Sequence, residues 1–175
     1  RIVGQRQDGQ SGEWHKWTFP KICGYGPPIV VFASAGMTKI KSYWLMKSEP
    51  DVYSWDDLVA EGEGTWDGVR NYTARNNMRA MQPGDQVFFY HSNIGVEIVG
   101  IAEITESNIP DPTDDTGRWS AVKLKPVRKL KRTVTLKEIK ADPALADMDL
   151  LTKFRLSVSG VKPSEWDYIL KLAEG

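Results

Sequence analysis

The sequence predicts an α+β domain in which a mixed sheet carries a few short helices. Three observations predict it. Dense apolar runs at 42–47, 86–91 and 96–106 and an alternating segment at 119–125 read as strands. Helical spacing is confined to short stretches, Ala74, Met78 and Met81 in one and Trp166, Ile169, Leu170 and Ala173 in another. Proline and glycine stop these segments at Ser48-Glu49-Pro50 and Pro83-Gly84. A chain of 175 residues fits one domain, or one domain with an appendage, and can bury a core without staples.

Residues 1–36 read differently from the rest, and 1–40 is expected to be an extension ahead of a domain spanning 41–175. The chain opens on Arg1, and Trp14, Trp17 and Phe19 follow no pattern. Ala33-Ser34-Ala35 imitates a leader-cleavage site, but the apolar run before it, Ile29-Val30-Val31-Phe32, is very short. The favoured reading is a non-native extension preceding a start at Met37; an accessory strand is the alternative.

Beyond it, 42–47 is a strand, and Ser54 caps a short helix with Asp57 three residues on. The central stretch is Trp66-Asp67-Gly68-Val69-Arg70-Asn71, a loop that leads into a helix at 72–81 capped by Asn71 or Thr73. A helix start presents unpaired N–H groups, and beside Arg70 it could hold an anion. The alternative is a buried Trp66 that fixes the loop to the core, with Arg75 and Arg79 solvated. Residues 86–91 and 96–106 form a hairpin, the second strand apolar on both faces, with Gly100, Ala102 and Ile104 on one and Val99 and Ile101 on the other. A polar loop follows at 108–117. In 119–125, Val122 and Leu124 face in while Lys123 and Lys125 face out. Short helices at 135–141 and 143–151, a last strand at 154–158 and a helix at 163–173 begun by Pro163 complete the chain.

Formal net charge is zero, so no global field draws nucleic acid or a membrane, and an electrostatic partner has to be met by a local patch. No apolar run is long enough to span a bilayer, and no membrane partner is expected. A single cysteine, Cys23, excludes an internal disulfide and a cysteine zinc cage, which fits a reducing cytoplasm. Seven tryptophans raise the prospect of a flat ligand.

Catalytic chemistry is poorly supported. His91 and Ser92 would point to opposite sides of a strand, so adjacency does not make them a nucleophile and base. His15 and His91 make no ligand cluster, and Gly62 with Gly64 lacks the lysine and spacing of a phosphate loop. Glu49, Asp67 and Glu97 could act as acid and base, but nothing in the sequence unites them. Binding is better supported. Arg118, Lys123, Lys125, Arg128, Lys129, Lys131 and Arg132 could track phosphates together with Arg70, Arg75 and Arg79. On the residues alone, a solvated strand face guarding a sheet edge is favoured over that track.

Several stretches together resemble the EVE domain family: Tyr43-Trp44-Leu45-Met46-Lys47-Ser48-Glu49-Pro50, then Trp66-Asp67-Gly68-Val69-Arg70-Asn71-Tyr72 with Ala74-Arg75-Asn76, then Phe88-Phe89-Tyr90-His91-Ser92-Asn93. Val99-Gly100-Ile101-Ala102, Pro110-Asp111-Pro112-Thr113, Trp119-Ser120-Ala121-Val122 and Arg155-Leu156-Ser157-Val158 support them, in order, over about residues 41–172. The resemblance is to the stand-alone bacterial form. It implies a PUA-like fold, a strongly curved mixed sheet closing into a pseudo-barrel with flanking short helices. It implies a non-enzymatic reader of a modified base, methylated or hydroxymethylated cytosine or a similar mark, in DNA or RNA. No cofactor and no metal are implied, and a monomer is expected.

Carried onto this sequence, the resemblance makes Trp66 the ring that stacks on the extracted base. Lys47, Ser48 and Glu49 on one side and Tyr90, His91, Ser92 and Asn93 on the other form walls. Asp67 and Asn71 bond the base edge beside Val69, and Trp119 is either a second aromatic wall or core. Arg70, Arg75 and Arg79 meet flanking phosphates, and Lys123, Lys125, Arg128 and Lys129 continue the track. Two rival readings remain: a small nucleotide hydrolase or nuclease using Glu49, Asp67 or His91, and a sensor of a free modified nucleoside.

Overall fold

The computed structural model describes residues 41–175. The expected extension, with His15, Cys23 and the Ala33-Ser34-Ala35 segment, lies outside the described residues. Six strands make one mixed sheet: β1 (Tyr43–Ser48), β2 (Gly64–Trp66), β3 (Gln86–His91), β4 (Glu97–Pro110), β5 (Ser120–Thr135) and β6 (Val158–Val161), in the order β2-β5-β4-β3-β1-β6. β1 runs parallel to β3, and every other neighbouring pair is antiparallel. A parallel pair needs a crossover. Here it is built from α1 (Trp55–Glu61), β2 and α2 (Tyr72–Ala80). The crossover therefore carries the central loop, residues 67–71, onto one face of the sheet. The α+β class and the PUA-like architecture expected for the chain are present.

Helices cover both faces. On one, Met46, Phe89, Ala102 and Leu124 pack against Trp55 and Leu58 of α1 and Ala74 and Met78 of α2. On the other, Leu45, Phe88, Ile98 and Val134 pack against Ile139 of α3 (Leu136–Ala141), Leu150 of α4 (Asp149–Thr152) and Trp166 and Ile169 of α5 (Pro163–Glu174). This double cover explains why β3 and β4 are apolar on both sides. The caps read from sequence hold: Ser54 and Asp57 form a reciprocal capping box on α1, and the Asn71 side chain accepts from Ala74 N–H on α2.

Four element boundaries differ from expectation. The last strand is β6 rather than 154–158; residues before it form a turn in which Leu156 N–H donates to the Lys153 carbonyl at 2.9 Å. β4 and β5 absorb the start of the 108–117 loop and the basic run, because each finds partners on the other along its whole length. Pro126 is tolerated inside β5 because it lies opposite Ala102 at a register shift, where the ladder is already broken. β2 was not expected, since three residues make no periodic signal. A 3-10 helix (Pro143–Leu145) followed by α4 replaces a continuous helix over 143–151.

The faces of β4 also differ. Val99 packs with Ala102 and Ile104, not with Ile101, because a bulge between Ile98 and Gly100 breaks strict alternation. Gly100 is required there: a Cβ would lie 2.5 Å from two ring carbons of the buried Trp55. Gly100→Ala is expected to destabilise the domain by about 1–3 kcal/mol through overpacking. A urea denaturation midpoint equal to that of the wild type would show that Trp55 can give way.

Candidate functional site

An open cavity of about 640 Å³ lies between the end of β1 and the loop after β2. Trp66 forms part of its wall. β2 alternates, with Gly64 and Trp66 turned inward and Thr65 outward. The Trp66 indole is 8% exposed and set edge-on against Phe89, with centroids 5.5 Å apart, and against Tyr53 at 6.4 Å. Such T-shaped contacts hold a ring in one orientation. The indole is thus seated in the core and borders the cavity with a small remaining surface.

Tyr53 closes the neighbouring wall. Its hydroxyl donates to Glu61 at 2.6 Å, and burial together with that carboxylate raises its pKa. Gly64 leaves room for the Tyr53 hydroxyl, which a Cβ would meet at 2.2 Å. Ser48 faces the same side and donates its hydroxyl to the Tyr53 carbonyl at 2.6 Å. Lys47 donates from Nζ to the Phe154 carbonyl at 2.9 Å, and burial lowers its pKa.

The loop is held by one buried acid that the resemblance did not assign to the site. Asp111, 3% exposed, accepts from Gly68 N–H at 3.0 Å, from Arg70 Nη1 at 2.7 Å and from the Thr113 N–H and hydroxyl at 2.8 and 2.6 Å. Burial pushes its carboxyl up, but the bonds from Thr113, Arg70 and Gly68 outweigh that and leave it below the usual range. Arg70 also donates to the Thr113 carbonyl and hydroxyl at 3.0 and 2.7 Å. Asp67 is left at the cavity. Its pKa is raised, first by burial and then by the Asp111 charge, with Arg70 opposing.

Of the residues carried over from the resemblance, the cavity gathers Lys47, Ser48, Glu49, Trp66, Asp67, Val69 and Arg70. It does not gather Asn71, Tyr90, His91, Ser92, Asn93 or Trp119. Asn71 spends its side-chain oxygen on capping α2 at 3.0 Å. Tyr90 alternates onto the opposite face of β3, where it lines a separate cavity of about 360 Å³, and burial pushes its pKa up to about 12. His91 faces the Trp66 side but accepts the Trp55 N–H at Nε2, 3.1 Å away, and burial lowers its pKa. Ser92 donates its hydroxyl to the Ser48 carbonyl, and Asn93 sits at positive φ in the exposed β3–β4 turn. Trp119 is neither core nor cavity wall; it is half-buried against Tyr72 at 5.0 Å, with the Arg70 and Arg75 guanidiniums 5.6 and 5.7 Å from its ring.

The cation track is largely engaged within the chain. Arg75 and Arg79 both donate to the Arg118 carbonyl at 3.1 Å, and Arg79 to Ser120 as well. Lys123 pairs with Glu106, Lys125 with Glu103 and Lys129 with Asp56. Glu103 and Glu106 of β4 lie opposite Lys125 and Lys123 of β5, so these two lysines serve strand pairing, while Lys129 reaches α1. Arg128 makes no ion pair among the described residues. No group of three or more His, Cys, Asp or Glu that could hold a metal ion is present among the described residues, and none of their helices is long and apolar enough to cross a membrane.

A family model described as EVE domain matches residues 42–172. The chain belongs to the EVE domain family. Thymocyte nuclear protein 1 of Mus musculus is 38% identical over 173 residues, covering 79% of this chain and 76% of that protein. An NMR structure of a Rhodopseudomonas palustris protein is 50% identical with a TM-score of 0.73, covering 76% of this chain and 93% of its own. The crystal structure of human THYN1 in complex with 5-methylcytosine-containing DNA is 36% identical with a TM-score of 0.72, covering 77% and 99%. In this EVE domain, Val52, Tyr53, Thr65, Gly68 and Ser157 line the cavity without having been foreseen. Gly68 lies inside a recognised motif and Thr65 beside it, a signal that could have found these two. Ser157 reaches the cavity only because β6 pairs with β1.

Proposed function

We propose that this chain is a non-enzymatic binding module that takes one modified base, methylated or hydroxymethylated cytosine or a close analogue, from DNA or RNA into the cavity beside Trp66. The observation that carries this reading is the juxtaposition in one cavity of an aromatic wall and two carboxylates, Glu49 and Asp67. A carboxylate accepts from the exocyclic amine of cytosine, and an aromatic ring returns roughly 1–3 kcal/mol of stacking per base. The human relative crystallised with 5-methylcytosine DNA supports the same class of ligand. The module works as a cytoplasmic monomer without a cofactor.

The hydrolase reading would have to use Glu49 and Asp67 alone as acid and base, without the histidine. Glu49 and Asp67 share the cavity, but His91 is bonded to the α1 backbone elsewhere. A turnover assay at enzyme excess over a modified nucleotide should give no product.

The test of the binding reading is a tryptophan-fluorescence titration against oligonucleotides that differ in one base modification. Tighter binding of the modified strand is expected, with affinity falling as salt rises; a free-nucleoside sensor would show no salt dependence. Equal affinity for modified and unmodified strands would overturn it. Val52 is 76% exposed at the cavity rim, so Val52→Asp should leave stability unchanged and weaken binding roughly three- to tenfold by setting a charge against phosphates.

A further inference from the structure

Phe154 presents 67% of its surface to water, although a phenyl ring is ordinarily buried. It sits in the turn between α4 and β6, and Lys47 ties that turn to the cavity wall twice. The Lys47 N–H donates to the Ser157 carbonyl at 2.8 Å, and Lys47 Nζ donates to the Phe154 carbonyl at 2.9 Å. Lys47 and Ser157 both line the Trp66 cavity. The Phe154 backbone is therefore fixed within one lysine side chain of that cavity, while Phe154 itself borders the neighbouring cavity that Lys47 and Tyr90 line. On the other flank, Thr73 in the first turn of α2 shares a shallow depression with residues 152–156. The turn thus lies between β1 and the start of α2. Buried Leu156 anchors it, and the Arg155 guanidinium stands 5.5 Å from the phenyl centroid. Val52 adds a second exposed apolar side chain at the cavity itself.

A base leaves a duplex at a cost of a few kcal/mol, because its stacking and pairing are lost. Proteins offset that cost by inserting an apolar side chain into the gap. A ring held on a tethered backbone near an open cavity roomy enough for a base, with a cation next to it for the adjacent phosphate, has the arrangement such insertion needs. We infer that Phe154 is a wedge that enters the base stack as the target base enters the Trp66 cavity, so that the substrate is double-stranded nucleic acid. The inference rests on the base-binding reading of the cavity and adds the strandedness of the substrate and the residue that sets it.

The experiment compares dissociation constants for one 5-methylcytosine-bearing DNA strand, alone and annealed to its complement, in the wild type, Phe154→Ala and Phe154→Trp. Phe154→Ala should weaken duplex binding tenfold or more and single-strand binding less than twofold. Phe154→Trp should retain duplex binding. A 2-aminopurine placed next to the target in the duplex should brighten with the wild type and stay dim with Phe154→Ala. Equal losses on both forms, or an unchanged duplex affinity, would overturn the wedge. Preference for the methylated single strand would then still stand, which separates failure of the wedge from failure of the base-binding reading. Should the wild type show no preference for the methylated base on either form, both fall. Equal urea midpoints for the variants confirm that folding is not what changes.

Discussion

Trp66→Ala is expected to destabilise the domain by about 3–5 kcal/mol, the range for deleting a large aromatic from a core. The indole is 8% exposed and touches the rings of Phe89 and Tyr53, both packed on the same side of the sheet. Its removal leaves a void that β2, only three residues long, cannot close. The measurement is a urea transition, in which the midpoint should fall with little change in slope. Loss of modified-base preference should accompany it, and Trp66→Phe distinguishes the two effects. Phenylalanine keeps much of the core contact but presents a smaller ring to the cavity. A Trp66→Phe variant with near wild-type stability and weakened preference would assign the indole to recognition. Unchanged preference in a folded Trp66→Ala protein would remove Trp66 from the binding site.

Asp111→Ala is expected to cost about 2–4 kcal/mol. Removing one partner of a buried ion pair typically costs about 3–5 kcal/mol because the other charge is left unpaired. The Arg70 side chain is 40% exposed and can be rehydrated, which lowers the figure. The Gly68 N–H and the Thr113 groups lose their acceptor at the same time. The sign of the pH dependence follows from the depressed carboxyl. A carboxylate whose pKa is lower folded than unfolded contributes stability above the unfolded value, near 4, and loses it as pH falls through the folded value. The wild type should therefore lose stability below about pH 4, and Asp111→Ala should lose less over the same range. Parallel pH profiles for the two proteins would show that Asp111 does not carry this dependence. Since Asp111 fixes the loop that borders the cavity, the variant should also bind nucleic acid less tightly.

The sequence showed the sheet class and most strands because each strand is a dense or alternating run, and Val122 and Leu124 turn inward as their alternation requires. Val99 departs from strict alternation because a bulge is a property of the pairing, not of the strand that contains it. The walls at 47–49 and 66–69 were legible through motifs that lie close in sequence. Tyr90 was not separable from them, although alternation from Phe89 already sends it to the other face. Ser157 belongs to the Arg155-Leu156-Ser157-Val158 stretch, but nothing in that stretch places it at the cavity, since only the β1–β6 pairing brings it near. The basic run is ambiguous in sequence because its partners, Glu103 and Glu106, belong to another strand and lie opposite Lys125 and Lys123 only once β4 and β5 pair. Asp111 lies in the Pro110-Asp111-Pro112-Thr113 stretch, but its role depends on that loop folding back onto Gly68 and Arg70, which the stretch itself does not reveal.

The first strand of the described domain takes its hydrogen bonds from two partners that come much later in the chain, β3 and β6. During translation, β1 leaves the ribosome long before residues 158–161 exist. Its outer edge stays open for nearly the whole synthesis of the domain, and such an edge is a template for unwanted pairing. The wall that Lys47 and Ser157 share is accordingly among the last parts to be assembled. A ribosome-stalled fragment ending before β6 should be readily cleaved by proteases and should lack base-binding activity, with protection arriving only when the C-terminal strand clears the exit tunnel.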